Sequence, residues 1–421
     1  MLLGMEACCF AYKPYFRFVL KMEKKGEIHE IGGIRGWAAF VVFIFHSFSS
    51  ILSPTRPEIF TPENYMFSVW DGPLMVSIFF VISGDALSVS FTRRVKPGMS
   101  PTVPLKRVLR LSGMALLTFG LSFIAISNGL VKNAEAGRML NNSWLEGLLP
   151  ENLSGLSVDL DVFYAGFIGM YDQKPRLNLF LWTMGSELAG SVVVFAIGSV
   201  FPRLRFHPVI LLLAIWFYYY FNLNIALFIV GILLGYCRSR EVFSTCHRIL
   251  HLRVLFGILV ITLPVIHRFT YLPVRESSPG TAFGFIFYSL FCIYASKDAV
   301  WFFSTRLSRF LGEISFPYYA LSLFVMCTFE SQLILSLSAA GVDVKSVEWG
   351  ILYAGVTLIW GIFVSCIVRF IEMGYLRILD KAFGLFVDPE EGVLPYYAVP
   401  QVKEAELECI SVVSRKMKHI E

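Results

Sequence analysis

Ten apolar runs of helix length, parted by short loops rich in Lys and Arg, leave this chain few folds to choose from. They lie at about 31–53, 69–91, 109–129, 177–200, 207–221, 223–237, 254–270, 281–296, 314–337 and 349–371. A bilayer's hydrocarbon core takes an apolar helix of about 20 residues, because each backbone polar group must be satisfied within its own segment. Of the 421 residues, 56% are apolar and 16% charged, whereas a soluble domain has about 25% charged residues. The expected fold is all-α: a polytopic transmembrane helical bundle of about ten spans with both termini cytoplasmic.

Loop charge sets the orientation, since short cytoplasmic loops carry the excess of Lys and Arg. Residues 1–30 hold Lys13, Arg17, Lys21, Lys24 and Lys25, too many charges for the core of a cleavable signal peptide. They read as a basic cytoplasmic segment lying on the membrane. Arg93, Arg94, Lys96, Lys106, Arg107 and Arg110 form the densest basic loop, also inside. Residues 130–176 are the longest hydrophilic stretch between spans and fall outside. They contain two glycosylation acceptors, Asn141 and Asn152, in Asn-x-Ser sequons. Lys297 to Arg309 reads as a third basic, aromatic cytoplasmic loop, and 379–421 as a mixed-charge cytoplasmic tail.

The net charge of +5 is a topology signal rather than a nucleic-acid signal. The eight cysteines are scattered, with no CxxC and no metal-ligand spacing, so neither a metal site nor a disulfide framework is indicated.

The first run, IGGIRGWAAFVVFIFHSFSS, contains Arg35 and His46. Ionisable side chains inside a span are costly and call for a partner or a task. Eleven residues of α-helix make three turns plus roughly 20°, so the two share nearly one face, about 16 Å apart along the axis. Two readings stand beside each other: a snorkelling anchor and a hydrogen-bonded core histidine, or a functional pair.

GIRGWAAFVVFIFH resembles the opening motif of the acyltransferase 3 family of integral membrane acyltransferases: an arginine, ten residues, then a histidine. The likeness continues, in order, through FFVISG (Phe79 to Gly84), LKRVLRL (Leu105 to Leu111), LWTMGSE (Leu181 to Glu187), FLGEISFPYYAL (Phe310 to Leu321) and VRFIE (Val368 to Glu372). It implies a transmembrane acyltransferase domain at 31–378 that moves an acyl group, usually acetyl from a CoA thioester, to a hydroxyl of a small natural product or a glycan. It implies no permanently bound cofactor; acyl-CoA is the donor substrate, and the other partners are the acceptor and membrane lipid. Three positions depart from the family's pattern: Gly32 for an acidic residue, Asp85 for an aromatic, and Ser322 for a histidine.

The residue chemistry fits that implication. Transfer to a hydroxyl needs a base, and imidazole titrates near neutrality, which makes His46 the candidate. An acyl-histidine intermediate is the alternative that the sequence leaves open. Arg35, at the cytoplasmic end, suits an anionic donor, as do Arg107 and Arg110, three apart on one helical face; plain positive-inside anchoring is the alternative for that pair. Ser83 and Gly84 are assigned to the donor site; Gly84 permits close helix approach or backbone access, and Ser83 can hydrogen-bond across helices. Glu187 either orients His46 or pairs with an arginine. Tyr318 and Tyr319 read as packing or interface aromatics, Arg369 and Glu372 as an internal ion pair, and Asp85 as a charge needing Arg107 or Arg110. The rival function is a transporter with an Arg35, His46 and Glu187 relay, although no inverted repeat is visible. An endomembrane or plasma-membrane location is expected.

Overall fold

The computed structural model describes residues 28–56, 71–92, 102–151, 177–271 and 279–384. The basic segment before residue 28, the cluster Arg93, Arg94 and Lys96, the Asn152 sequon and the tail from residue 385 lie outside the described residues.

Among the described residues every regular element is helical. The apolar helices are α1 (His29–Leu52), α2 (Gly72–Thr92), α3 (Pro104–Ser127), α4 (Leu179–Arg203), α5 (His207–Phe221), α6 (Leu223–Ser239), α7 (Leu250–Phe269), α8 (Ala282–Ala295), α9 (Arg306–Ala339) and α10 (Val347–Phe383). Each falls on one of the ten apolar runs. By length and composition, seven are able to cross a membrane: α1 to α4, α7, α9 and α10. An eighth candidate is α8 together with the helix Lys297–Phe303, a pair bent by 91°, while α5 and α6 are shorter.

The basic loop expected at 297–309 is therefore largely helical. Ser296 accepts a hydrogen bond from the Ala299 N–H and starts the bent foot. Thr305 does the same for Ser308 at the start of α9. These are hydroxyl N-caps, which satisfy the free N–H groups of a first turn. The last helix also outruns its apolar stretch. Its polar end is still helical and is tied to α3 by Lys106–Asp380 at 2.9 Å.

Helices in lipid gain little from burying apolar surface against one another, so association relies on close backbone approach. Two seams show it. α1 runs along α9 with Gly36 against the Leu311–Gly312 backbone. α2 runs along α6 with Gly84 against the Phe228 carbonyl and Gly231 against the Val81 carbonyl. A methyl group at any of these glycines would overlap main chain. α5 and α7 show the opposite pattern: Leu212, Leu213, Trp216, Val254, Ile258 and Ile261 are all exposed, as lipid-facing residues should be.

The stretch 130–176 is structured where it is described. Two short helices, Asn133–Leu140 and Ser143–Glu146, bury Leu140 and Leu145 on the bundle. The Asn133 amide donates to the carbonyls of Leu145, Glu146 and Leu149 and so braces the pair. Asn141 is exposed in a left-handed turn (φ 55°).

A glycosylation-reporter or protease-protection map should find 130–176 outside and 92–108 inside. Both loops on one side of the membrane would overturn the alternation.

Candidate active site

His46 sits where α1 stops being a regular helix. Residues Phe45–Ser49 form a π turn, with the Ser50 N–H reaching back to the Phe45 carbonyl. Such single-turn widenings often occur at functional sites. The turn also means that the ideal-helix angle between Arg35 and His46 holds only up to residue 44.

The imidazole lies nearly parallel to Phe180 (ring centres 4.1 Å apart, 16°) and to Trp144 (5.7 Å, 12°). Its Nδ1 is buried and meets no hydrogen-bond partner among the described residues. A carboxylate orients many catalytic histidines. Here stacked rings hold the imidazole instead, which leaves its nitrogens uncommitted.

Those rings are themselves fixed. Phe180 belongs to the turn Leu179–Trp182, which Asn178 caps while its amide donates to the Ala320 carbonyl. The Tyr319 hydroxyl donates to the Phe180 carbonyl at 2.5 Å and lies 3.0 Å from the Thr183 hydroxyl. The short helix that carries Trp144 is capped by Asn142, whose amide also donates to the Ser50 and Ile51 carbonyls at the end of α1. Tyr319, which reads in sequence as a packing aromatic, thus supports the ring on which His46 rests. Phe180, Trp144 and Asn142 carry no motif that would have revealed them.

Glu187 is engaged elsewhere. Its Oε1 accepts from Ser83 at 2.5 Å and from Arg107 at 2.6 Å, while Arg107 Nε donates to Ser191. This knot ties α2, α3 and α4. Of the two roles expected for Glu187, the geometry takes the arginine pairing, and the Arg35, His46 and Glu187 relay loses its acidic member. Ser83 joins the knot, and Gly84 serves helix approach.

Arg107 and Arg110 each face their own carboxylate. Arg110 meets Glu372 at 3.1 Å, and Arg369 meets the other oxygen of Glu372 at 2.7 Å, so the ion pair expected within the last span acquires a third member. Two arginines on one carboxylate leave a net positive charge. Arg35 is half-buried, and its buried Nε has no acceptor among the described residues.

Asp85 corrects a second expectation. It is fully buried, but its partner is Arg238 of α6 and neither Arg107 nor Arg110. The guanidinium fork bonds both carboxylate oxygens at 2.7 Å, and the Tyr294 hydroxyl adds a third bond at 2.8 Å. The physical reason is the α2–α6 seam, which brings the end of α6 against Asp85.

Two further buried groups emerge. His267, in a π turn at the end of α7, lies 3.1 Å from Asp71, which caps the start of α2. Glu330 is wholly buried in α9. The signal for Glu330 was present in the sequence, as the single acid within the run 314–337.

No curated protein and no solved structure matches this chain. A family model described as an acyltransferase domain matches residues 28–369, which takes in His46, Arg35 and the Glu187 knot. The match covers most of the sequence, and with the all-helical membrane architecture it shows that the chain belongs to the acyltransferase 3 family of membrane acyltransferases.

Proposed function

We propose that this membrane acyltransferase takes an acyl group, acetyl first, from acyl-CoA on the cytoplasmic side and transfers it to a hydroxyl of a small natural product or a glycan. The observation that carries the reading is His46 itself. It is a half-buried imidazole with an unengaged buried nitrogen, held by stacking alone, on the helix that also carries Arg35.

In the proposed reaction the acceptor oxygen attacks the thioester carbonyl while His46 takes its proton. The carbon–sulfur bond then breaks, and the proton passes from the imidazolium to the departing thiolate, so that ester and free CoA result. Arg35 supplies charge for the anionic donor, because a guanidinium binds phosphate oxygens bidentately. Arg110 and Arg369, with one carboxylate between them, contribute the remaining net positive charge. Arg107 acts chiefly by holding Glu187. We place the protein in an endomembrane or the plasma membrane.

The test is transfer of radiolabelled acetyl from acetyl-CoA into a lipid and metabolite extract of the host cells by membranes containing the protein. Label in an ester that is absent with His46→Ala membranes supports the reading. No label, or equal label from both, refutes it.

The donor assignment has its own outcome. Arg35→Ala should raise KM for acetyl-CoA by about tenfold or more, as loss of a charge-assisted hydrogen bond would, and leave the acceptor KM unchanged. Arg35→Lys should recover only part of the affinity, since an ammonium lacks the fork. An unchanged donor KM would make Arg35 a topological anchor.

A further inference from the structure

Glu330 is a carboxyl group within the membrane bundle with a single hydrogen-bond partner. Oε1 accepts from the Ser47 hydroxyl at 2.6 Å, across 283 residues of sequence, and Oε2 has none among the described residues. The hydroxyls of Tyr318 and Tyr353 are within its electrostatic reach, yet neither donates to it. That of Tyr318 goes to the Leu358 carbonyl, and that of Tyr353 is itself without a partner among the described residues. No cation pairs with Glu330 among the described residues. A half-satisfied carboxyl is a poor device for stability, because the desolvation it suffers exceeds what one hydroxyl returns. What it supplies is a directed contact.

The recipient of that contact is informative. Serines and threonines in helices ordinarily bond back to a carbonyl of the preceding turn. Ser88, Thr92 and Thr118 do so here. Ser47 reaches out to another helix instead. It is the residue after His46, inside the same π turn, and Glu330 ends a π turn of its own, Met326–Glu330. A π turn competes with ordinary α geometry and persists where something outside the helix favours it. Letting go of Ser47 frees Phe45–Ser49 to rewind, which would rotate His46 off Phe180.

We infer that Glu330 is a positioning residue that acts through Ser47 to fix the π turn carrying His46. The position itself is read from geometry; its catalytic consequence rests on the reading of His46 as the base.

The test pairs activity with a probe that ignores catalysis. Glu330→Ala, Ser47→Ala, the double variant and Glu330→Gln are purified in detergent. The rate of His46 modification by diethyl pyrocarbonate is read by peptide mass spectrometry, with His207 and His247 as internal standards. Acetyl transfer from acetyl-CoA to the host-cell extract is measured in parallel. In both single variants the His46 modification rate should change by about threefold or more, and kcat should fall about ten- to a hundredfold with the acetyl-CoA KM unmoved, the scale expected of a displaced catalytic group. The double variant should be no worse than the worse single one, because the two act through one bond. Glu330→Gln, whose carbonyl still accepts from Ser47, should restore both readouts.

Wild-type modification of His46 in both single variants, or additive losses in the double, overturns the inference. Altered modification with unchanged kcat upholds the positioning and overturns His46 as base. Should Glu330→Ala not fold, Ser47→Ala decides, since it removes one hydroxyl and nothing else.

Discussion

Replacing His46 with alanine is expected to lower kcat by about 10²–10⁴, the range contributed by a general base. Protein abundance and acetyl-CoA binding should stay near wild type. The structure explains why the two effects separate. Nδ1 makes no hydrogen bond among the described residues, so its loss orphans no partner. The ring stacks with Phe180 and Trp144 are worth about 0.5–1.5 kcal/mol each beyond the area they bury, a modest loss. His46→Gln, which can hydrogen-bond but cannot take the proton, should be as inactive as the alanine variant. The control is His267→Ala, which breaks the buried contact with Asp71 and should act on stability rather than on kcat. Near-normal turnover in the glutamine variant would remove His46 from the chemistry and leave the fold assignment untouched.

The largest loss of stability should come from Asp85. Removing one partner of a buried ion pair costs about 3–5 kcal/mol, because the other charge is left uncompensated. Asp85→Ala strands the Tyr294 hydroxyl and leaves the Arg238 guanidinium only the looser contact with Glu30 at 4.0 Å. Its melting temperature in detergent, followed by size-exclusion chromatography, should fall well below wild type. The triple variant Asp85→Leu, Arg238→Met, Tyr294→Phe should recover most of the loss, since apolar replacement of a whole buried pair is often neutral or better. A wild-type melting temperature for Asp85→Ala would show that the pair contributes nothing to stability.

The places of the helices were legible in the sequence because the solvent dictates them: apolar length marks a candidate span, and loop charge sets a direction. The ends were less so. The foot Lys297–Phe303 and the start of α9 depend on hydroxyl caps at Ser296 and Thr305 inside what reads as a basic loop. The partners of buried charges were hardly legible at all. Asp85 has arginines near in sequence, yet it pairs with Arg238, 153 residues away, because Gly84 and Gly231 let α2 and α6 close on each other. Which helix faces which is a long-range property, and period and composition do not encode it. Of the site, the motif points to Arg35 and His46, whereas Phe180, Trp144 and Asn142 are ordinary residues made important by where the chain returns. Glu330 is the intermediate case. The rule that singles out an ionisable residue within an apolar run points to it, but no motif does.

The bond between Ser47 and Glu330 also has a meaning in time. A chain emerges from the ribosome at about 5–20 residues per second, amino-terminal parts first. The 283 residues between donor and acceptor therefore correspond to a wait of roughly 15–60 s during synthesis. For that interval Arg35, His46 and Ser47 have been synthesised and the acceptor of Ser47 has not. If the first span needs this contact to settle, it matures only when the ninth helix arrives. Nascent chains halted before residue 330 should accordingly remain bound to insertion factors, or be degraded, even though all their earlier spans are complete.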